Sequence, residues 1–265
     1  MKALIRRSGG IALADIAPPT GDAMIRVAFA GVCRTDLAVA DGTIGVAEGR
    51  VLGHELSGWL DGEPVTVVPF DGAEPARWLG VDRDGGFAEL VCVPRASVIP
   101  LPRALPLAWG AYVEPVAAAL GVLAVVERGT RVMIGGANRI AELTARIVAA
   151  VGAVRVDGGP CDVAIEHDGD GSALVSSLRR GGTLVLKSRA ARAIALPAGE
   201  LVARELIVRG VSHGSFAAAV DWLHTRRVRV DDLLAEPRPL AEYEAVLAAA
   251  RGETRKQMFA IGDPR

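Results

Sequence analysis

The hydrophobic pattern changes period partway along the chain. Over the first hundred residues the apolar positions come in short, β-branched-rich runs. Ala23–Ala30 carries Met24, Ile25, Val27 and Phe29, and Pro64–Phe70 and Ala88–Val93 are similar. Gly9-Gly10, Pro18-Pro19, Gly62-Glu63-Pro64 and Gly85-Gly86 punctuate them. Short strands so punctuated predict a small barrel or sandwich. Near Leu105 the character shifts. Trp109–Val126 is alanine-rich and predicts helix, and Arg131–Gly135 predicts a short strand. Ile140, Leu143, Ile147, Val148 and Val151 then fall on one helical face, with Gly152 placed to end the helix. Val163–Glu166, Thr183–Lys187 and Leu206–Val211 read as strands, with a helix over Ser172–Arg180. Such alternation predicts a parallel α/β sheet. Helices near Ala217–Thr225 and Leu240–Arg251 and a strand at Gln257–Ile261 close the chain.

Composition narrows the function classes. A chain of 265 residues is long enough for one large or two modest domains. Its net charge is −1, from 30 basic and 31 acidic residues, which leaves no electrostatic footprint for nucleic acid and no polybasic membrane signal. Three cysteines, Cys33, Cys92 and Cys161, are too few for a disulfide framework and suit a reducing compartment. The longest apolar run, Pro115–Val126, is too short to span a bilayer. The first residues show no signal-peptide pattern. The expectation is a soluble cytoplasmic protein with a small-molecule substrate and no nucleic-acid or membrane partner.

The chemistry concentrates in three stretches: Gly31-Val32-Cys33-Arg34-Thr35-Asp36, Gly53-His54-Glu55 and Val113-Glu114-Pro115. A thiolate, an imidazole and a carboxylate form a normal ligand set for a catalytic zinc with one position open. Sulfur and nitrogen donors suit zinc better than magnesium or calcium. These segments resemble the two zinc motifs of the medium-chain dehydrogenase/reductases, the alcohol, sorbitol and threonine dehydrogenase group, including the 21-residue separation of Cys33 from His54. Glu114-Pro115 resembles the polyol and threonine branch, and Gly85-Gly86-Phe87-Ala88-Glu89 matches the preceding strand.

The resemblance implies an α/β protein: a GroES-like β-barrel catalytic domain over residues 1–115 and 214–265, and a reduced Rossmann-like domain over 116–213. It implies one catalytic zinc on Cys33, His54 and Glu114. Asp36 would hold the second nitrogen of His54, Thr35 would take the substrate hydroxyl proton, and Glu55 would stand behind the metal as an alternative ligand or acid/base. Arg34 and Lys256 match positions that contact the pyrophosphate of NAD(P). The family is usually dimeric or tetrameric, which makes a homodimer an open expectation.

The dinucleotide site departs from the family pattern. Where G-x-G-x-x-G belongs, this chain has Gly136, Asn138 and Ala141, so a side chain stands where phosphate should lie. Asp157 lies 21 residues past Gly136, where a ribose-binding acid belongs, but a solvated turn before Gly158-Gly159 explains it as well. Only Gly158–Cys161 separate Asp157 from the next strand, a reach of about 14 Å at most. A parallel crossover needs a dozen or more residues. Val154–Val156 and Val163–Glu166 are therefore not expected to be successive parallel strands of an intact Rossmann sheet. His167 and His213 follow strand ends that should face a ligand cleft, where either could do acid/base work or simply meet solvent. The leading expectation is a zinc-dependent oxidoreductase acting on a hydroxyl or carbonyl group with NAD(P). The alternative is a non-redox zinc lyase, dehydratase, cyclase or hydrolase without the nucleotide, and a cofactor-free binding protein is the third.

Overall fold

A computed structural model describes residues 1–72, 76–188, 193–252 and 255–262. Its strands are β1 (Lys2–Arg7), β2 (Gly10–Asp15), β3 (Ala23–Gly31), β4 (Glu55–Leu60), β5 (Glu63–Val67), β6 (Leu90–Val93), β7 (Val98–Pro100), β8 (Arg131–Ile134), β9 (Val154–Arg155), β10 (Cys161–Glu166), β11 (Leu178–Leu186), β12 (Ile207–Gly210), β13 (Arg238–Pro239) and β14 (Met258–Ala260). They fall into two compact units, Met1–Glu114 with Val230–Arg265, and Pro115–Arg229. The chain thus returns to the first unit at Val230, later than residue 214, and the helix Phe216–His224 belongs to the second unit.

The first unit is the β-rich part. Its main sheet runs in the order β13, β14, β3, β4, β5, β7, with β6 also paired to β3, and β1 and β2 form a separate hairpin. β3 alternates buried and exposed residues over its first half, as a strand with one face on a core must. Leu4, Ile25, Leu52 and Phe87 are fully buried in this core, and the Phe87 and Phe259 rings meet edge to face at 5.0 Å. Each such side chain contributes about 2 kcal/mol or more through burial. Phe259 lies on β14, so the last described strand closes the sheet that the first hundred residues began.

The second unit holds a five-stranded parallel sheet in the order β12, β11, β10, β8, β9. The helix Arg139–Ala150 forms where the apolar spacing predicted it. Leu143, Ile147 and Val148 are buried, Glu142 supplies an acid in the first turn, and Arg146 pairs with Glu142 at 2.9 Å.

One expectation is overturned here. β9 and β10 are successive and both run parallel to β8, which lies between them. The connection succeeds because β9 has only two residues, opposite Arg131 and Val132 at the start of β8. The chain has almost no strand to run back along. It needs to pass only the N-terminal end of β8, about 10 Å for two strand spacings. Arg131 ties the passage down: its backbone N–H donates to Asp162 at 2.7 Å and its side chain to the Pro160 carbonyl at 3.1 Å. No helix stands between β9 and β10, so the sheet is reduced as expected.

Candidate metal centre

Cys33 caps the N-terminus of the short helix Arg34–Ala40 at the end of β3. Asp36, in the first turn of that helix, is 1% exposed, accepts two hydrogen bonds and stands beside a third polar group. It accepts from the Cys33 backbone N–H at 2.8 Å and from the Gly53 N–H at 3.2 Å, and one oxygen lies 3.5 Å from His54 Nδ1. A single carboxylate therefore fixes the thiol-bearing turn against the imidazole-bearing one. With Nδ1 turned to Asp36, Nε2 is the nitrogen left to bind a metal. Gly53 has φ +96°, and a Cβ there would sit 2.4 Å from the Phe87 ring, so the turn that delivers His54 requires glycine. Thr35 Oγ1 lies 3.9 Å from Cys33 Sγ and is half-buried.

Glu55 opens β4 opposite Gly31 and is almost wholly buried. One of its oxygens, the Cys33 thiol and a His54 ring nitrogen all lie within 4.8 Å of one another. Donor atoms around a tetrahedral zinc stand about 3.3–3.8 Å apart, so this cluster is close to a ligand geometry. Glu114 is also buried and lies near enough to raise the Glu55 pKa. Burial pushes the Glu55 carboxyl up first and Glu114 adds to it, against the opposing pull of Lys256 and His54. Burial alone would lower the His54 pKa, but Asp36 and then Cys33 outweigh it and raise it well above its usual value. Two buried acids and a buried imidazole beside a half-buried thiol are what a divalent cation would relieve. The residues present fit zinc.

Lys256 is not where a pyrophosphate could meet it. It is 1% exposed and forms an ion pair with Glu55. Arg34 is exposed at the first position of its helix.

The remaining sequence candidates lie in the second unit. Asn138 caps the helix Arg139–Ala150: its Oδ1 accepts from the Ile140 and Ala141 N–H groups, and its Nδ2 donates to the His167 carbonyl at 2.8 Å. A pocket of about 290 Å³ beside it is lined by Ile134, Gly136, Asn138, Glu142 and Arg155. Asp157 does not line it; its side chain is 92% exposed and lies 3.7 Å from Arg155. Its exposure suits a solvated turn, and Arg155 and Glu142 are the charged residues that do line the pocket. Arg155 ends β9, the strand that follows the capped helix.

His213 stacks on Phe216 and shares a 3.0 Å contact with Ser212 Oγ. His167 is 5% exposed, and its Nε2 has no hydrogen-bond partner among the described residues. Burial first, and then Lys187, push its pKa down from 6.5 to about 4. The ring is neutral at pH 7 and is no proton donor there. The folded chain disfavours the charged ring, so this stabilisation is complete above about pH 6.5 and is lost as pH falls toward 4. The loss should approach about 3 kcal/mol at pH 4. Urea unfolding of the wild type and of His167→Phe at pH 7, 5 and 4 measures it. Parallel pH dependences in the two proteins would remove His167 as the cause.

Residues 19–103 match the alcohol dehydrogenase GroES-like domain. Galactitol 1-phosphate 5-dehydrogenase of Escherichia coli K12 is 28% identical over 159 residues, 50% of this chain and 46% of that protein. L-threonine 3-dehydrogenase of Streptomyces coelicolor is 29% identical over 194 residues, 59% of this chain and 56% of that protein. The chain thus spans about half the length of the curated relatives it matches. The fold is shared more widely. An alcohol dehydrogenase from Escherichia coli CFT073, complexed with NADH, superposes with a TM-score of 0.88 at 18% identity, over 98% of this chain and 99% of that one. The chain thus combines a match to the GroES-like domain and a thiol–imidazole–carboxylate cluster in one unit with a parallel sheet in the other. The chain is similar to the medium-chain dehydrogenase/reductases, with residues 19–103 matching their GroES-like domain.

Proposed function

We propose that this chain is a zinc-dependent oxidoreductase that moves a hydride between a small hydroxyl or carbonyl substrate and NAD(P). The cluster of Cys33, His54 and buried carboxylate carries this reading. Cys33, His54 and a carboxylate would hold the metal: Glu55 stands in the donor cluster, and Glu114, the ligand the resemblance implies, is buried nearby. Zinc there supplies a Lewis acid for a substrate oxygen. Asp36 keeps His54 in the ligating tautomer, and Thr35 Oγ1 passes the hydroxyl proton. The dehydrogenase relatives support redox chemistry and lend nothing to a non-redox zinc reaction.

For the nucleotide, Gly136 and Arg155 offer an open backbone and a cation beside the pocket. Arg34 is a second candidate for a phosphate. Asn138 opposes this, because its Oδ1 occupies the N–H groups that a helix start would offer to phosphate. The test is titration of zinc-loaded protein with NADH and NADPH, followed by turnover of small polyols and alcohols. Saturable binding with zinc-dependent turnover is the expected result; no binding at millimolar nucleotide overturns the redox reading. Asn138→Gly frees two N–H groups at a cost of a few tenths of a kcal/mol in helix stability. It is expected to tighten nucleotide binding several-fold, and calorimetry showing weaker binding would reverse the role given to Asn138.

A further inference from the structure

A second cavity, of about 250 Å³, lies in the first unit, and none of Cys33, His54, Glu55 or Glu114 lines it. Its wall combines the apolar side chains of Ile16, Val51, Leu90 and Val91 with Arg83 and Asp84. Arg83 is the group with an unmet need. Its Nε is sealed from water and has no hydrogen-bond partner among the described residues, and its guanidinium makes one long bond, at 3.3 Å, to the Arg77 carbonyl. A buried donor without an acceptor is costly. Asp84 does not answer it, because its Oδ1 is already engaged by the Arg50 side chain at 2.9 Å and by the Val51 N–H at 3.1 Å. A ligand carboxylate would offer two oxygens in the plane of the guanidinium, one for Nε and one for the neighbouring nitrogen. The aliphatic wall suits a short apolar body behind that carboxylate.

The cavity backs onto the turn that delivers His54. Val51 lines it, and the carbonyls of Val51 and Gly53 accept from the N–H groups of Gly85 and Gly86 at 2.9 and 2.8 Å. A Cβ at Gly85 would lie 2.1 Å from the Gly53 oxygen, and one at Gly80 would lie 2.7 Å from the Gly53 nitrogen. Backbone therefore rests on backbone there, with no side chain between to absorb a shift. At the other end of the same segment, Arg83 holds the carbonyl of Arg77, and the next residue, Trp78, meets the His54 ring edge to face at 6.2 Å. We propose that this cavity is an effector site for a small aliphatic carboxylate, read by Arg83 and coupled to the metal centre through the segment from Trp78 to Gly86. The carboxylate site stands on its own geometry; its coupling rests on the zinc reading above.

The test uses sodium butyrate, titrated into the metal-free chain and followed by ligand-observed NMR. Saturable binding with a Kd at or below about 10 mM is expected for so small a ligand. Arg83→Met, and Arg83→Lys, which keeps the charge and loses the fork, should each weaken it about ten-fold or more. Ala17→Trp, at an exposed residue of the cavity wall, should block it without disturbing the core, and it decides the matter if Arg83→Met fails to fold. Equal butyrate binding in these variants, or none in the wild type, overturns the site. Inorganic phosphate competing as well as butyrate overturns the ligand class. Zinc affinity, by competition with a chromophoric chelator, should shift about five-fold or more at saturating butyrate in the wild type and not in Arg83→Met, and zinc loading should shift butyrate affinity by the same factor. A zinc affinity blind to bound butyrate overturns the coupling. Failure of the wild type to bind zinc at all defeats the metal reading and the coupling with it, and leaves the butyrate result on the metal-free chain standing.

Discussion

Cys33→Ala is expected to lose stoichiometric zinc and to lower kcat/KM by on the order of a thousand-fold or more. The thiol is the softest donor in the cluster, and without it one imidazole and carboxylates remain. The fold should survive. Cys33 is half-buried at a helix cap, and the Asp36 carboxylate that organises the turn binds the Cys33 backbone, which alanine keeps. The companion change Asp36→Ala should separate ligand loss from orientation loss. It removes the acceptor for the Cys33 and Gly53 N–H groups and the partner of His54, so zinc affinity should fall roughly 10- to 100-fold and the protein should also lose stability. Elemental analysis after dialysis, steady-state kinetics and thermal melts read these effects. Full zinc occupancy and near-normal kinetics in Cys33→Ala would place the catalytic centre elsewhere.

Gly58→Ala is expected to be among the most disruptive conservative changes to the fold. Gly58 lies on β4 opposite Val27, beside a register shift in β3. A Cβ there would stand 2.1 Å from the Arg26 carbonyl oxygen and 2.9 Å from the Val27 Cα. Both are backbone atoms, so no side chain can swing aside and the two strands must part. Overpacking of this kind costs about 1–3 kcal/mol, and the backbone contact places it at the upper end. The same strand begins at Glu55 and directly follows His54, so parting it from β3 should also weaken zinc binding. Denaturant unfolding compared with Gly62→Ala, where a Cβ would meet nothing within 4 Å, is the measurement. Gly62 has φ +82°, so the control carries a modest strain of its own, and a larger loss at Gly62 than at Gly58 would refute the packing argument.

Much of the candidate site was legible in the sequence because its determinants are local. Cys33 and Asp36 share one helix turn, and His54 and Glu55 are neighbours across the start of a strand. Their spacing carries the pattern without knowledge of what packs around them. Asn138 was legible only as an obstacle. That its side chain closes the helix start and also reaches the His167 carbonyl depends on β10 lying beside β8. Lys256 was misread for the same reason. In sequence it belongs to a charged run with Arg255, which suggests solvent or a phosphate, and in the fold the pairing of β14 with β3 buries it against Glu55.

The connection between β9 and β10 shows how reach alone misleads. Chain length excludes a return along a full strand, but the tertiary structure shortens β9 to two residues and passes the chain around the end of β8. By itself, then, the sequence determined the strand-rich and the alternating parts of the chain and singled out Cys33, His54 and a nearby carboxylate as candidate donors, because hydrophobic period and motif spacing are properties of contiguous chain; the helix read over Ser172–Arg180 is a single turn ending at Val175, since Leu178 already starts β11. Only the tertiary structure decided which charges are buried together, which helix start is already capped and where the second unit ends. Those outcomes depend on which distant strands become neighbours, and the burial of Lys256 against Glu55 exists only once they have.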